Sequence, residues 1–329
     1  MREGAEAFLL AHRYGEARRE PLPSDASFRR YSRLHGGPRP ALLMDAPPPQ
    51  EDVRPFLHVG AHLRAIGVSA PEVIAADPER GFLLLEDLGR DTMANRLDAG
   101  ADPLRLYLDA AEALAALHSH PPPDGLPRWD ADRMGETAAA TFLQWWWPES
   151  FGMEPSGAIA AQFHQAIADM LAPFAARGFV HRDWFPANLM PLDRAPPRQI
   201  GILDFQDAAL GHPAYDLVSL VEDARRDVAE AVRQQAIEHY VAHRPGLDEA
   251  GFRAAMAVHA AQRHLRVAAL WVRLARRDGK WAYLRHGPRC WALLDRALAH
   301  PATMPLRRFL DAHVPHELRA NPASLTEPA

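Results

Sequence analysis

The 329-residue chain has one cysteine, Cys290, and one lysine, Lys280. A lone thiol excludes an internal disulfide and suits a reducing compartment. With lysine almost absent, nearly every fixed positive charge is a guanidinium, a planar bidentate donor rather than a compact ammonium. Nowhere does an apolar run approach the roughly 18 residues that a membrane-spanning helix requires. The apolar residues 8–11 are too few for a signal-peptide core. The formal net charge of −5 provides no overall basic surface for nucleic acid. No internal repeat is present. These absences leave a cytoplasmic globular protein with no membrane, nucleic-acid or evident obligate protein partner as the expectation.

With 48% hydrophobic residues, a chain of this length buries a substantial core. Its first part reads as a small sheet with one helix. Residues 3–13 form an amphipathic helix, and the turn-forming residues 24–27 lead into a strand over 28–34. Along that strand Phe28, Arg30, Ser32 and Leu34 share one face, and Arg29, Tyr31 and Arg33 the other. Ala41–Asp45 reads as the next strand. A helix follows over 51–66 with Pro55 tolerated in its first turn, then strands over 73–76 and Phe82–Glu86. After Gly89 the periodicity turns helical: Pro103–His118, then 131–146, then 156–176 with Gly178 as a C-terminal cap, and almost all of the chain from Tyr215 to about residue 311. The expected division is 1–89, with a hinge at 85–89, then 90–320, then a frayed tail over 321–329.

Residues 179–208 carry the chemistry. His181, Asp183 and Asn188 fall in an H-x-D-x-x-x-x-N spacing, and Asp204 ends an apolar run of Ile200, Ile202 and Leu203. Phosphoryl transfer needs these residue types: a carboxylate to orient a hydroxyl nucleophile, and an amide oxygen and a second carboxylate to hold the metal on nucleotide phosphates. Any one motif alone is weak evidence; the three at these offsets are strong.

A small sheet-plus-helix half, the connector L-L-L-E-D-L-G and a helical half with these motifs resemble the aminoglycoside phosphotransferase-like kinases. The stretches SDASFRRY (24–31), LLMDAPPP (42–49), HRDWFPANLM (181–190), GILDFQDA (201–208), GHPAYDLVSL (211–220) and the run over 262–284 are similar, more closely, to the anomeric sugar kinases of peptidoglycan recycling. That family phosphorylates the C1 hydroxyl of N-acetylmuramate and N-acetylglucosamine. The resemblance implies an α+β, protein-kinase-like, two-lobed fold and an ATP- and Mg²⁺-dependent kinase acting on a small amino sugar. It implies Asp183 as the catalytic carboxylate, His181 as a brace of its loop, and Asn188 and Asp204 as Mg²⁺ ligands. Asp216 would accept hydrogen bonds from the catalytic loop, and Glu86 and Leu88 would lie at the hinge beside the adenine.

One departure stands out. Kinases of this fold place a lysine on the third strand and a glutamate on the following helix. Here Met44 lies near the lysine position, and residues 53–65 contain no carboxylate. Arg29 and Arg30 are assigned to the phosphates instead, with Ser27 and its neighbouring backbone N–H groups as a supplementary anion nest. Strand alternation lets at most one of the two arginines face the nucleotide, and solvated arginines are the competing reading. Trp145, Trp146 and Trp147 point about 100° apart on a helix, so core packing explains them better than one sugar-binding surface does. Trp184 is the better-placed aromatic for substrate. Arg263 and Arg266, spaced i, i+3, are candidates to meet a substrate carboxylate. Rival expectations are another hydroxylated acceptor, such as an aminoglycoside, choline or an amino alcohol, and a catalytically silent nucleotide-binding regulator.

Overall fold

The computed structural model describes residues 2–23 and 28–325. In chain order the elements are α1 (Ala5–Ala11), β1 (Arg18–Pro21), β2 (Arg30–His35), β3 (Ala41–Asp45), α2 (Arg54–Ala65), β4 (Val73–Asp77), β5 (Phe82–Glu86), α3 (Met93–Asp98), α4 (Pro103–His118) and α5 (Ala131–Thr141). A π-helical turn over Phe142–Trp146 leads into α6 (Trp147–Phe151) and α7 (Gly157–Leu171). Four short strands follow, β6 (Gly178–Val180), β7 (Leu189–Pro191), β8 (Ile200–Ile202) and β9 (Ala209–Gly211). The chain ends in α8 (Ala214–Val221), α9 (Glu230–Ala242), α10 (Glu249–Asp278), α11 (Gly287–Leu298) and α12 (Met304–His313). Among the described residues no helix is long and apolar enough to cross a membrane.

The chain forms two compact units. One takes residues up to 123 together with 186–208; the other takes 124–185 with everything from 209 onward. The first unit is built on an antiparallel sheet of order β1-β2-β3-β5-β4. Alternation gives that sheet two different faces. On one, Leu34, Ala41, Leu43, Phe82 and Leu84 bury against Phe8 and Leu9 of α1 and against Tyr14. On the other, the register pairs Tyr31 with Met44, Arg33 with Leu42, and Leu42 with Leu85, so these side chains share the opposite surface. Pro55 sits in the first turn of α2, where its missing N–H costs nothing.

The units do not divide at residue 89, because the segment 186–208 returns to the sheet. Ser69 accepts the Ile202 N–H on its carbonyl at 2.8 Å and donates its hydroxyl to the Arg198 carbonyl at 2.8 Å. Arg194 reaches Glu86 at 2.6 Å, Arg96 donates to the Pro191 carbonyl at 2.9 Å, and Gln199 to that of Asp109 at 3.2 Å. Phe205 packs on Phe56 of α2 with ring centres 4.6 Å apart. β1, unexpected from its polar sequence, exists because Arg18 to Pro21 pair with His35 to Ser32 of β2.

The second unit is helical apart from the β6–β9 pair. Side-chain N-caps start two of its helices: Asp130 accepts the Arg133 N–H before α5, and Ser156 that of Ile159 before α7. Gly178 opens β6 rather than capping a helix. A Cβ there would come within 2.7 Å of the Pro213 ring, which explains the glycine. Trp146 and Trp147 are buried core: Trp146 stacks on Phe142 at 4.9 Å and donates to the Ala320 carbonyl at 2.8 Å. The stretch expected to fray is held as far as residue 325, since Asn321 donates to the Leu284 carbonyl at 2.7 Å and Ser324 to that of Glu149 at 3.0 Å.

Candidate functional site

Each unit contributes one cluster of chemically capable side chains. In the first unit a cavity of about 460 Å³ lies on the Tyr31–Arg33–Leu42–Leu85 face of the sheet. Leu42, Leu85, Leu88, Met190, Leu203 and Phe56 give it apolar walls. Polar groups come from Arg29, Arg33, Glu86, Thr92, Asn188 and Asp204. An apolar slot with a few convergent polar groups, in this size range, is what a nucleotide-sized ligand requires.

Asn188 and Asp204 reach this cavity through one local arrangement. β7 and β8 pair in the register Leu189 to Ile202, and the Leu203 N–H donates to the Asn188 carbonyl at 2.9 Å. Asp204 then takes a left-handed conformation, φ 57°, uncommon for a residue other than glycine. Its Oδ1 accepts from Gln206 at 2.7 Å. One amide oxygen and one carboxylate form a hard-oxygen donor set. They fit Mg²⁺, which binds few protein ligands and completes its octahedron with water and phosphate oxygens. For that reason the lack, among the described residues, of any cluster of three or more metal-ligating side chains is no objection to such a site.

Arg29 lines the cavity; Arg30 is exposed and is not among the lining residues, as strand alternation requires. Arg29 lies 3.2 Å from Glu51 and 3.8 Å from Asp204, and Glu51 also accepts the Phe28 N–H at 3.0 Å. Glu51 was missed because the carboxylate was sought within 53–65, whereas it precedes α2 by three residues. Met44, near the expected lysine position, is 1% exposed on β3, paired with Tyr31 of β2 and Leu83 of β5. Arg33, on β2, carried no assigned role. It holds Asp87 through two hydrogen bonds of 2.5 and 3.1 Å and donates to the Gly89 carbonyl at 2.6 Å, which fixes the connector after β5. Glu86 lines the cavity; its N–H donates to the Glu72 carbonyl at 2.8 Å and its carboxylate is held by Arg194. Leu88 lines the cavity wall. Ser27 lies outside the described residues.

In the second unit Asp183 sits on a loop anchored from beneath. The fully buried Asp216 accepts the His181 N–H at 2.6 Å and the Arg182 N–H at 2.8 Å, one on each carboxylate oxygen. Arg182 is left-handed at φ 76°, a second strained backbone position within the motif region. His181 is buried, and its Nδ1 accepts the Asp183 N–H at 3.3 Å, so the ring proton lies on Nε2. Trp184 is 0% exposed and meets the His181 ring edge-on at 5.6 Å, so it cannot stack on a ligand and serves as a support of the loop.

Arg263, at 3% exposure, is likewise a support: its Nη1 donates to the Arg182 carbonyl at 3.1 Å and to the Tyr215 hydroxyl at 3.2 Å. Arg266 donates to the same hydroxyl at 3.2 Å. Burial alone would push the Tyr215 phenol up, but the guanidiniums of Arg266 and Arg263 outweigh it and hold its pKa below the usual value. Arg182 lies over the Trp129 ring at 4.3 Å, and Arg266 over the same ring at 5.9 Å. The structure thus gathers Arg29, Leu88, Asn188 and Asp204 around one cavity, and His181, Asp183, Asp216 and Arg263 around one loop.

Comparison with known proteins follows this geometry. The model of a family described as "Phosphotransferase enzyme family" matches residues 18–253. The N-acetylmuramate/N-acetylglucosamine kinase of Caulobacter vibrioides is 37% identical, over 97% of this chain and 98% of that one. The protein of the same name from Pseudomonas aeruginosa is 38% identical, over 85% of this chain and 83% of its own. Among solved structures, a microcompartment-associated aminopropanol kinase superposes with a TM-score of 0.61 at 20% identity, over 90% of this chain and 97% of its own, which establishes the shared protein-kinase-like α+β fold.

Proposed function

The chain belongs to the phosphotransferase enzyme family, and from that premise we propose that it moves the γ-phosphoryl group of ATP to the anomeric hydroxyl of N-acetylmuramate or N-acetylglucosamine. The observation that carries the substrate is the similarity, over nearly the full length of both chains, to a kinase named for those two sugars. Asp183 orients the acceptor hydroxyl and receives its proton as the new P–O bond forms. The anomeric hydroxyl is more acidic than an ordinary alcohol, which eases that demand. Asn188 and Asp204 are the residues that would hold Mg²⁺. When bound, the metal neutralises phosphate charge and makes the γ-phosphorus a better electrophile. Arg29, steadied by Glu51, takes the place of the missing strand lysine as the cation directed at the phosphates. Leu42, Leu85 and Leu88 form the apolar slot for the base. His181, Asp216 and Arg263 hold the loop and touch no reacting atom. The reading demands positioning and charge neutralisation of the protein, not covalent chemistry.

A coupled ADP-release assay over a panel of acceptors tests it. Mg²⁺-dependent turnover of N-acetylmuramate or N-acetylglucosamine is the expected result. Turnover confined to choline, amino alcohols or aminoglycosides would overturn the sugar assignment, and turnover of nothing in the panel would favour a silent nucleotide-binding protein.

A further inference from the structure

Helix α10 bears six arginines in two groups. Arg253, Arg276 and Arg277 each lie 2.8 Å from a carboxylate, those of Glu249, Glu149 and Asp278 respectively. Arg263, Arg266 and Arg273 have no carboxylate within ion-pair distance among the described residues. Arg263 is accounted for by the Arg182 carbonyl and the Tyr215 hydroxyl. Arg266 is accounted for only in part, by the Tyr215 hydroxyl and the Trp129 ring, and Arg273 not at all. Arg266 is half-buried with one hydrogen bond, to Tyr215, and its buried Nε has no partner. Arg273 is half-buried, and its buried Nε is also without a partner.

The two are seven residues apart, so they lie about 20° apart around the helix and about 10 Å apart along it. Partial removal of two neighbouring cations from water, with no anion between them, is a net cost to folding. Burial lowers the Arg273 pKa, the charges of Arg277 and Arg266 add to that effect, and the Asp278 carboxylate opposes it only in part. Arg277 falls on the same face, but the one carboxylate there, that of Asp278, is held by Arg277 through two hydrogen bonds, so three guanidiniums against one carboxylate leave an excess of positive charge for an anion supplied from outside. The pair begins beside the reacting loop: Arg266 shares the Tyr215 hydroxyl with Arg263, which bonds the carbonyl of the residue before Asp183.

We propose that Arg266 and Arg273 form a carboxylate subsite for the acceptor, so that the enzyme prefers an amino sugar bearing a carboxylate over its neutral counterpart. This rests on the amino-sugar kinase reading above. A guanidinium holds a carboxylate bidentately, so Arg273 grips the acid group while Arg266 covers the stretch between it and the reactive hydroxyl at Asp183.

The test reads one number, the ratio of kcat/KM for N-acetylmuramate to that for N-acetylglucosamine, in the wild type, R273Q and R273K. The ratio falls roughly tenfold to a hundredfold in R273Q, as loss of a hydrogen bond to a charged group requires. In R273K, which keeps the charge and loses the fork, it is intermediate. A ratio unchanged in R273Q, or an equal loss on both sugars, overturns the subsite, because an arginine serving the transferred phosphoryl group would affect both alike. Melting curves for each variant confirm that the comparison is between folded enzymes. Wild-type turnover of neither sugar would overturn the substrate reading itself, an outcome separable from failure of the ratio.

Discussion

Asp183 is half-buried on a loop whose backbone is tied down by Asp216, so its neighbours hold the geometry when its charge is removed. Asp183→Asn is expected to fold as the wild type does and to lose roughly 10²–10⁴ in kcat, the usual contribution of a general acid–base group. A circular dichroism spectrum and a steady-state assay on the same sample check this, and undiminished turnover would remove Asp183 from its role. A second residue governs pH dependence. His259 is 3% exposed with neither ring nitrogen hydrogen-bonded, and burial, then the charge of His212, pushes its pKa down to about 3. The unfolded histidine takes a proton below its ordinary value of 6.5, while the folded one stays neutral down to about 3. Across that window the unfolded state binds more protons, so stability falls as pH falls, by roughly 1 kcal/mol per unit for this group. Thermal melts between pH 7.5 and 5 should show that decline, and His259→Leu should show a shallower one.

At the level of elements, legibility followed local self-sufficiency. The limits of β3, β5 and α4 were readable, because apolar runs set the strands and the Asp102 cap with Pro103 in the first turn sets the helix. β1 was not readable: Arg18, Arg19, Glu20 and Pro21 have no strand pattern and owe their conformation to β2. Glu51 escaped notice because its partner Arg29 is remote in sequence, and Trp184 misled because an aromatic in a functional loop has no sequence mark of being fully buried. The hairpin joining β4 to β5 offers a test at this scale. Gly81 has φ +72°, and a Cβ there would lie 1.9 Å from the Ala46 carbonyl oxygen. Gly81→Ala should therefore destabilise the protein by more than the roughly 1 kcal/mol of the backbone conformation alone. A denaturant midpoint unchanged by the substitution would show that the hairpin can relax.

For the molecule as a whole, the change to helical periodicity after Gly89 suggested a boundary that the tertiary contacts do not respect. Long-range bonds, such as Arg194 to Glu86 and Gln199 to Asp109, decide unit membership, and a sequence carries no local sign of them. Of the motif residues, Asn188 and Asp204 line the first-unit cavity, and His181 and Asp183 lie on one loop of the second unit. An arginine that lines the cavity was legible only to within two positions, Arg29 or Arg30. If the first-unit cavity takes Mg²⁺ and ATP, the ligand should raise the folding free energy by about 2.7 kcal/mol at a hundred times its dissociation constant. Asp204→Ala should abolish the metal-dependent part of that gain in calorimetry, and an intact metal-dependent titration would count against Asp204 as a ligand.

The excursion of the chain through 124–185 also affects biosynthesis. A ribosome delivers the sheet early, yet Asn188, Asp204 and Phe205 emerge only after dozens of further residues. At ordinary elongation rates the nascent protein waits on the order of ten seconds with one wall of its apolar cavity missing. Throughout that interval the half-made cavity can hold no ligand and gain no protection from one, so its vulnerability to proteases is set by the order of translation rather than by the stability of the finished fold.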